Sequence, residues 1–98
     1  MSTANIEFLA ELQSVIRERR TSKADKSYTK TLFNRGVPFI AQKVGEEAVE
    51  LAIAAVQGDN GRTISEAADL MYHMIVLLEA SGLSLEDLAT ELAARHSD

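Results

Sequence analysis

Residues 66–78, EAADLMYHMIVLL, set the tightest limit on the fold. Wound into a helix, this segment is apolar on nearly every side, so partners must cover it on more than one face. The rest of the chain supplies those partners as further helix. Apolar residues recur at helical spacing, with 5 Gly and 1 Pro in 98 residues, and no sustained period-2 alternation marks a strand. The expected fold is all-α: four main helices plus a short one forming a single domain over residues 1–98, assembling as a dimer. A hydrophobic content of 46% is enough for a core. A domain this small without cysteines gains stability most readily by oligomerising.

Phe8, Leu9, Leu12, Val15 and Ile16 form one stripe of a first helix, with Thr3 or Asn5 as its cap and its end near Arg19 or Arg20. The polar segment RTSKADKS reads as a loop, and a short helix over 28–35 follows. Gly36 suits the end of that helix, and Pro38 suits the first turn of the next, which runs to about Gln57. Residues 58–61, GDNG, are turn chemistry. Thr63 is expected to open a third long helix ending at Ala80. Gly82 then stops it, and Ser84 with Asp87 at the third position caps a last helix ending near Arg95.

A formal net charge of -5 argues against nucleic-acid binding, which needs clustered Lys and Arg, while leaving room for one bound nucleotide. The first twenty residues lack the basic start and unbroken apolar run of a signal peptide, so they read as mature protein. The most apolar run, 70–78, contains His73 and is too short for a membrane span. These features, with no cysteine, point to a cytoplasmic protein without membrane association.

Two helices carry acids where core is expected. At about 100° per residue, with Glu47 as zero, Ile40, Val44, Ala48, Val49, Leu51, Ala55 and Val56 occupy an arc of roughly 20° to 200°. Glu47 falls at the edge of this arc. Glu50 lies beside it near Lys43, and Glu46 lies further towards solvent. On the third long helix Glu66, Asp69 and His73 share one narrow stripe. A short turn makes these two helices antiparallel neighbours, so Glu47 and Glu50 can face Glu66 and Asp69. Like charges about 4 Å apart repel by about 4 kcal/mol at an effective dielectric of about 20, so such a group needs a cation or bound protons. Oxygen ligands without Cys favour Mg²⁺ or Mn²⁺.

Each residue also has a structural reading. Glu46, Glu47 and Glu50 are alternatively a solvated face, and Glu66 alternatively closes a capping box on Thr63. Asp69, flanked by Leu and Val, needs a partner, for which a Lys or Arg from the loop would serve. His73 reads as a packed, hydrogen-bonded residue, Lys43 as a helical ion-pair partner of Glu46 or Glu47, and Tyr72 and Met74 as core.

The pattern Glu46-Glu47-x-x-Glu50, 15 residues, then Glu66-x-x-Asp69 resembles the metal-binding signature of the all-α nucleoside triphosphate pyrophosphohydrolases, the MazG-like superfamily. Four ordered blocks are more closely similar to the phosphoribosyl-ATP pyrophosphohydrolase family: SYTKTLF at 27–33, KVGEEAVEL at 43–51, EAADLMYHMIVLL at 66–78 and GLSLEDLATEL at 82–92. Val37, Pro38 and Phe39 fall outside them. The resemblance implies Mg²⁺-dependent hydrolysis of phosphoribosyl-ATP to phosphoribosyl-AMP and pyrophosphate, the second step of histidine biosynthesis. It also implies the stand-alone form, without a cyclohydrolase domain. By the same resemblance, Glu47, Glu50, Glu66 and Asp69 are metal ligands. Glu46 orients water or joins the outer shell of the metal, and Lys43 and His73 meet phosphate or the metal's surroundings. Ser27, Tyr28 and Thr29 lie against substrate. Lys23, Lys26, Lys30 and Arg35, with Arg19 and Arg20, are the cations available for pyrophosphate. A homodimer is implied too, with a loop lent across it. Two other functions stay open: a MazG-like hydrolase of another nucleoside triphosphate, and a non-enzymatic helical interaction domain whose acids are salt-bridged.

Overall fold

A computed structural model of the chain describes residues 3–23 and 27–97, and among these every regular element is a helix. The centre of the expected loop, Lys26 included, lies outside the described residues. The elements are α1 (Thr3–Thr21), α2 (Tyr28–Arg35), α3 (Val37–Val56), α4 (Asn60–Ala80) and α5 (Leu85–Arg95).

The all-α expectation holds, and local chemistry explains most boundaries. The side chain of Ser27 accepts the Lys30 N–H at 3.2 Å, starting α2. Gly36, at φ +92, both ends α2 and starts α3, a conformation that a residue with Cβ rarely adopts. Pro38 occupies the first turn of α3, where no N–H is missed. Ser84 and Asp87 form a complete capping box on α5. Two boundaries differ from expectation. Helix α1 is already under way at Asn5, so Asn5 does not cap it. Helix α4 starts at Asn60 rather than Thr63, because Asp59 is the cap: its carboxylate accepts the Arg62 N–H at 3.0 Å, while its carbonyl takes the Thr63 N–H at 2.8 Å.

Ile16, Leu32, Ile40, Ile75 and Val76 are the buried centre of the core, joining α1, α2, α3 and α4. The most extensive contact is between α3 and α4, which the short 57–59 turn makes antiparallel. The expected stripe on α1 is only partly used. Ile16 is buried and Leu12 packs against the core, while Phe8 and Val15 stay exposed, because α1 meets its neighbours along a narrow strip. Polar side chains complete its docking. Buried Gln13 accepts the Leu85 N–H at 2.6 Å and donates to the Glu86 carboxylate at 2.9 Å. Arg17 makes a two-point bond to buried Glu79, at 2.9 and 2.7 Å, and Arg20 donates to the Glu79 carbonyl at 3.0 Å. Helix α5 leaves α4 at a bend of 104°. No single helix among the described residues is long and apolar enough to cross a membrane.

Candidate active site

Helix α3 presents its buried line as Ile40, Val44, Glu47, Leu51 and Ala54, so Glu47, 9% exposed, stands in the middle of the covered face rather than at its edge. The sequence placed it at the edge because the apolar arc is about twice as wide as the face that α4 covers. Val49 and Val56, on the far half of that arc, are 60% and 88% exposed.

Opposite Glu47, α4 brings Glu66 and Asp69. One carboxylate oxygen from each of the three lies within 4.8 Å of the others. Glu50, exposed at the rim, lies close enough to act on both Glu47 and Glu66. Burial raises the Glu47 carboxyl above the ordinary glutamate value, and the neighbouring carboxylates of Glu50, Asp69 and Glu66 push the same way. Glu66 is raised likewise by burial first and then by Glu50 and Asp69, with Arg62 opposing. Its Oε2 atom is buried without a hydrogen-bond partner. A buried carboxylate oxygen left without a donor, beside three other acids, is the environment a divalent cation would relieve, and an all-oxygen donor set suits Mg²⁺ or Mn²⁺. Because α4 begins at Asn60, Glu66 lies well inside the helix and closes no capping box on Thr63. Asp69 is exposed, so the desolvation argued for it from its Leu and Val neighbours does not arise.

Glu46 and Lys43 stand apart from this group. Half-exposed Glu46 lies 3.4 Å from the Lys43 ammonium and accepts from Gln42 at 3.1 Å. Gln42 and then Lys43 hold its carboxyl below the usual range. Lys43 is raised chiefly by Glu46, with smaller contributions from the nearby Tyr28 and Glu47.

Helix α2 closes the other side. Tyr28 is half exposed, and its hydroxyl meets His73 Nε2 at 2.9 Å. Next to it, buried Thr29 is hydrogen-bonded to the hydroxyl of Tyr72. His73 is 5% exposed, and its Nδ1 donates to the Asp69 carbonyl at 2.8 Å, so both ring nitrogens are engaged within the chain. Tyr72, read from sequence as core, thus also anchors α2. Only its place beside His73 in the acidic helix hinted at that. The Ser27 hydroxyl is spent on its cap, and the Lys30 ammonium donates to the Ser22 carbonyl, bracing the loop. Arg20 and Arg35 lie over the rings of Phe33 and Phe39, at 4.8 and 3.9 Å. Lys23 is exposed.

The family described as phosphoribosyl-ATP pyrophosphohydrolase matches residues 9–96. The chain is 56% identical over 90 residues to the histidine biosynthesis bifunctional protein HisIE of Bacteroides thetaiotaomicron, covering 92% of the chain and 44% of the relative. It is 48% identical over 90 residues to the protein of the same name from Photobacterium profundum, with the same coverage. With the phosphoribosyl-ATP pyrophosphatase of Pyrobaculum neutrophilum the identity is 51% over 89 residues, covering 91% of the chain and 95% of the relative. The chain therefore spans less than half of the bifunctional relatives and nearly all of the single-function one.

Proposed function

The chain belongs to the phosphoribosyl-ATP pyrophosphohydrolase family, and on that premise we propose that it hydrolyses phosphoribosyl-ATP to phosphoribosyl-AMP and pyrophosphate with Mg²⁺, the second step of histidine biosynthesis, in the cytoplasm. The observation that carries the chemistry is the convergence of Glu47, Glu66 and Asp69 within 4.8 Å, with a buried Glu66 oxygen that accepts no hydrogen bond. Water adds to one phosphorus of the anhydride as the bond between the α and β phosphates breaks, giving phosphoribosyl-AMP and pyrophosphate with release of a proton to solvent. A divalent cation bound here would neutralise phosphate oxygens and lower the pKa of the attacking water. Glu47, Glu50, Glu66 and Asp69 are its ligands in this reading. Glu46, held ionised by Gln42 and Lys43, is available at the rim to orient water. Lys43 adds positive charge beside the acids. Ser27, Tyr28, Thr29 and Lys30 shape the side where substrate enters, and His73 acts from beneath it.

We assign a homodimer as well, because Val49, Ile53 and Val56 expose one apolar face of α3. The direct test is pyrophosphate release from phosphoribosyl-ATP with Mg²⁺. Glu47→Gln and Asp69→Asn are each expected to lower kcat/KM by about a hundredfold or more, and calorimetry should show weakened Mn²⁺ binding. Full activity in both variants would overturn the ligand assignment. Turnover of other nucleoside triphosphates but not of phosphoribosyl-ATP would overturn the substrate.

A further inference from the structure

Beside the apolar core they share, α2 and α4 are joined by two adjacent hydrogen-bonded pairs, Tyr28 with His73 and Thr29 with Tyr72. A backbone carbonyl only accepts, so the contact of His73 Nδ1 with the Asp69 carbonyl places the proton on Nδ1 in the neutral ring. Nε2 is then an acceptor, and the Tyr28 hydroxyl must donate to it. That bond fixes the rotation of the Tyr28 ring, which also stacks on Tyr72 at a centroid distance of 6.2 Å and an angle of 22° and meets the edge of His73 at 5.7 Å. A tyrosine with its hydroxyl satisfied inward and half its surface open offers an apolar π face with no polar group to bury. Tyr28 is linked through His73 to the backbone of Asp69, and it lies near enough to Lys43, which also feels Glu47, to border the acidic group.

We propose that Tyr28 is the stacking surface for the purine base of the substrate, and that His73 is a positioning residue that holds this ring in place without touching substrate. The inference rests on the functional reading above and adds which part of the substrate α2 recognises. Every base has a π face, and one aromatic contact of this kind contributes roughly tenfold to a hundredfold in affinity.

The test is AMP and pyrophosphate binding by calorimetry in Mg²⁺ buffer, alongside steady-state hydrolysis. Tyr28→Leu should weaken AMP about tenfold or more and leave pyrophosphate binding in place, with the loss in hydrolysis falling on KM more than on kcat. His73→Leu should weaken AMP in the same direction, and His73→Gln, which keeps an acceptor for the Tyr28 hydroxyl, should restore most of that loss. Combining Tyr28→Phe with His73→Leu should cost no more than His73→Leu alone. The inference is overturned if wild-type protein does not bind AMP, if AMP and pyrophosphate weaken together in Tyr28→Leu, or if His73→Leu binds AMP as wild type does. Failure of wild type to hydrolyse phosphoribosyl-ATP while these AMP effects appear would instead overturn the substrate reading alone.

Discussion

The Oε2 atom of Glu66 is buried without a donor, and its carboxyl is raised by burial and by Glu50 and Asp69. A proton is one way to relieve it and a cation is the other, and the two compete. The pH sign follows. Glu47 and Glu66 have folded-state values above their ordinary 4.5, so the folded metal-free protein binds more protons than the unfolded chain just above that value. Their stabilising contribution is complete below 4.5 and is lost as pH rises through the raised values. Glu66→Gln removes one of these titrations. Without metal at neutral pH it should raise Tm by a few degrees, and the gap to wild type should close towards pH 4 (about the lower limit of the window). Added Mn²⁺ should stabilise wild type much more than the variant, with proton release on binding. Calorimetric melting across pH checks this. A metal-free variant less stable than wild type at neutral pH would show that the unpaired oxygen carries no strain. The acids on α3 and α4 were legible as residues because they interrupt apolar stripes. That Glu47 sits mid-face and Asp69 at the exposed rim was not, since angular position does not reveal how much of an arc a partner covers.

Helix ends were readable at Gly36 and at the Ser84–Asp87 box, which act within four residues, whereas Ser27, read as lying against substrate, caps α2. The start of α4 was misjudged because two caps compete there. Asp59 wins over Thr63, and once it does the Thr63 hydroxyl donates to the Asp59 carbonyl at 2.7 Å instead of capping. Docking between distant helices left no such local mark. Gln13 and Leu85 are 72 positions apart, yet the Gln13 amide takes over an N–H at the start of α5. Gln13→Met keeps the side-chain volume and leaves the Leu85 N–H without its acceptor, which should cost about 2 kcal/mol, or roughly 10 °C in Tm for a domain of this size. A thermal melt checks it, with Gln13→Glu as a companion that keeps the acceptor but places a second carboxylate against Glu86. If Gln13→Met melts with wild type, α5 is held by its apolar contacts alone.

The sequence marks α4 as too apolar for one partner face, whereas on α3 it shows only a wide apolar arc, and which half of that arc the fold leaves open emerges only from packing. Ile40 and Ala54 are fully buried, whereas Val49, Ile53 and Val56 are 60%, 47% and 88% exposed along one side. Burying a side chain of this size contributes about 1.5–3 kcal/mol, so three in a row favour a second copy over water. Glu50 stands between the covered line and this open face, so a partner seated there would border the acidic group and reduce its access to bulk water. A single charge should therefore act on assembly and on the site together. Ile53→Asp is expected to shift the protein from dimer to monomer in analytical ultracentrifugation at micromolar concentration, and to remove the concentration dependence of Tm. It should also lower pyrophosphate release, although Ile53 is not placed among the ligands. Phe8→Ser, at an exposed apolar position on α1 at 52%, should leave the dimer intact. A wild-type monomer at these concentrations would remove the dimer from the functional reading. A dimer broken by Phe8→Ser and kept by Ile53→Asp would move the interface to α1.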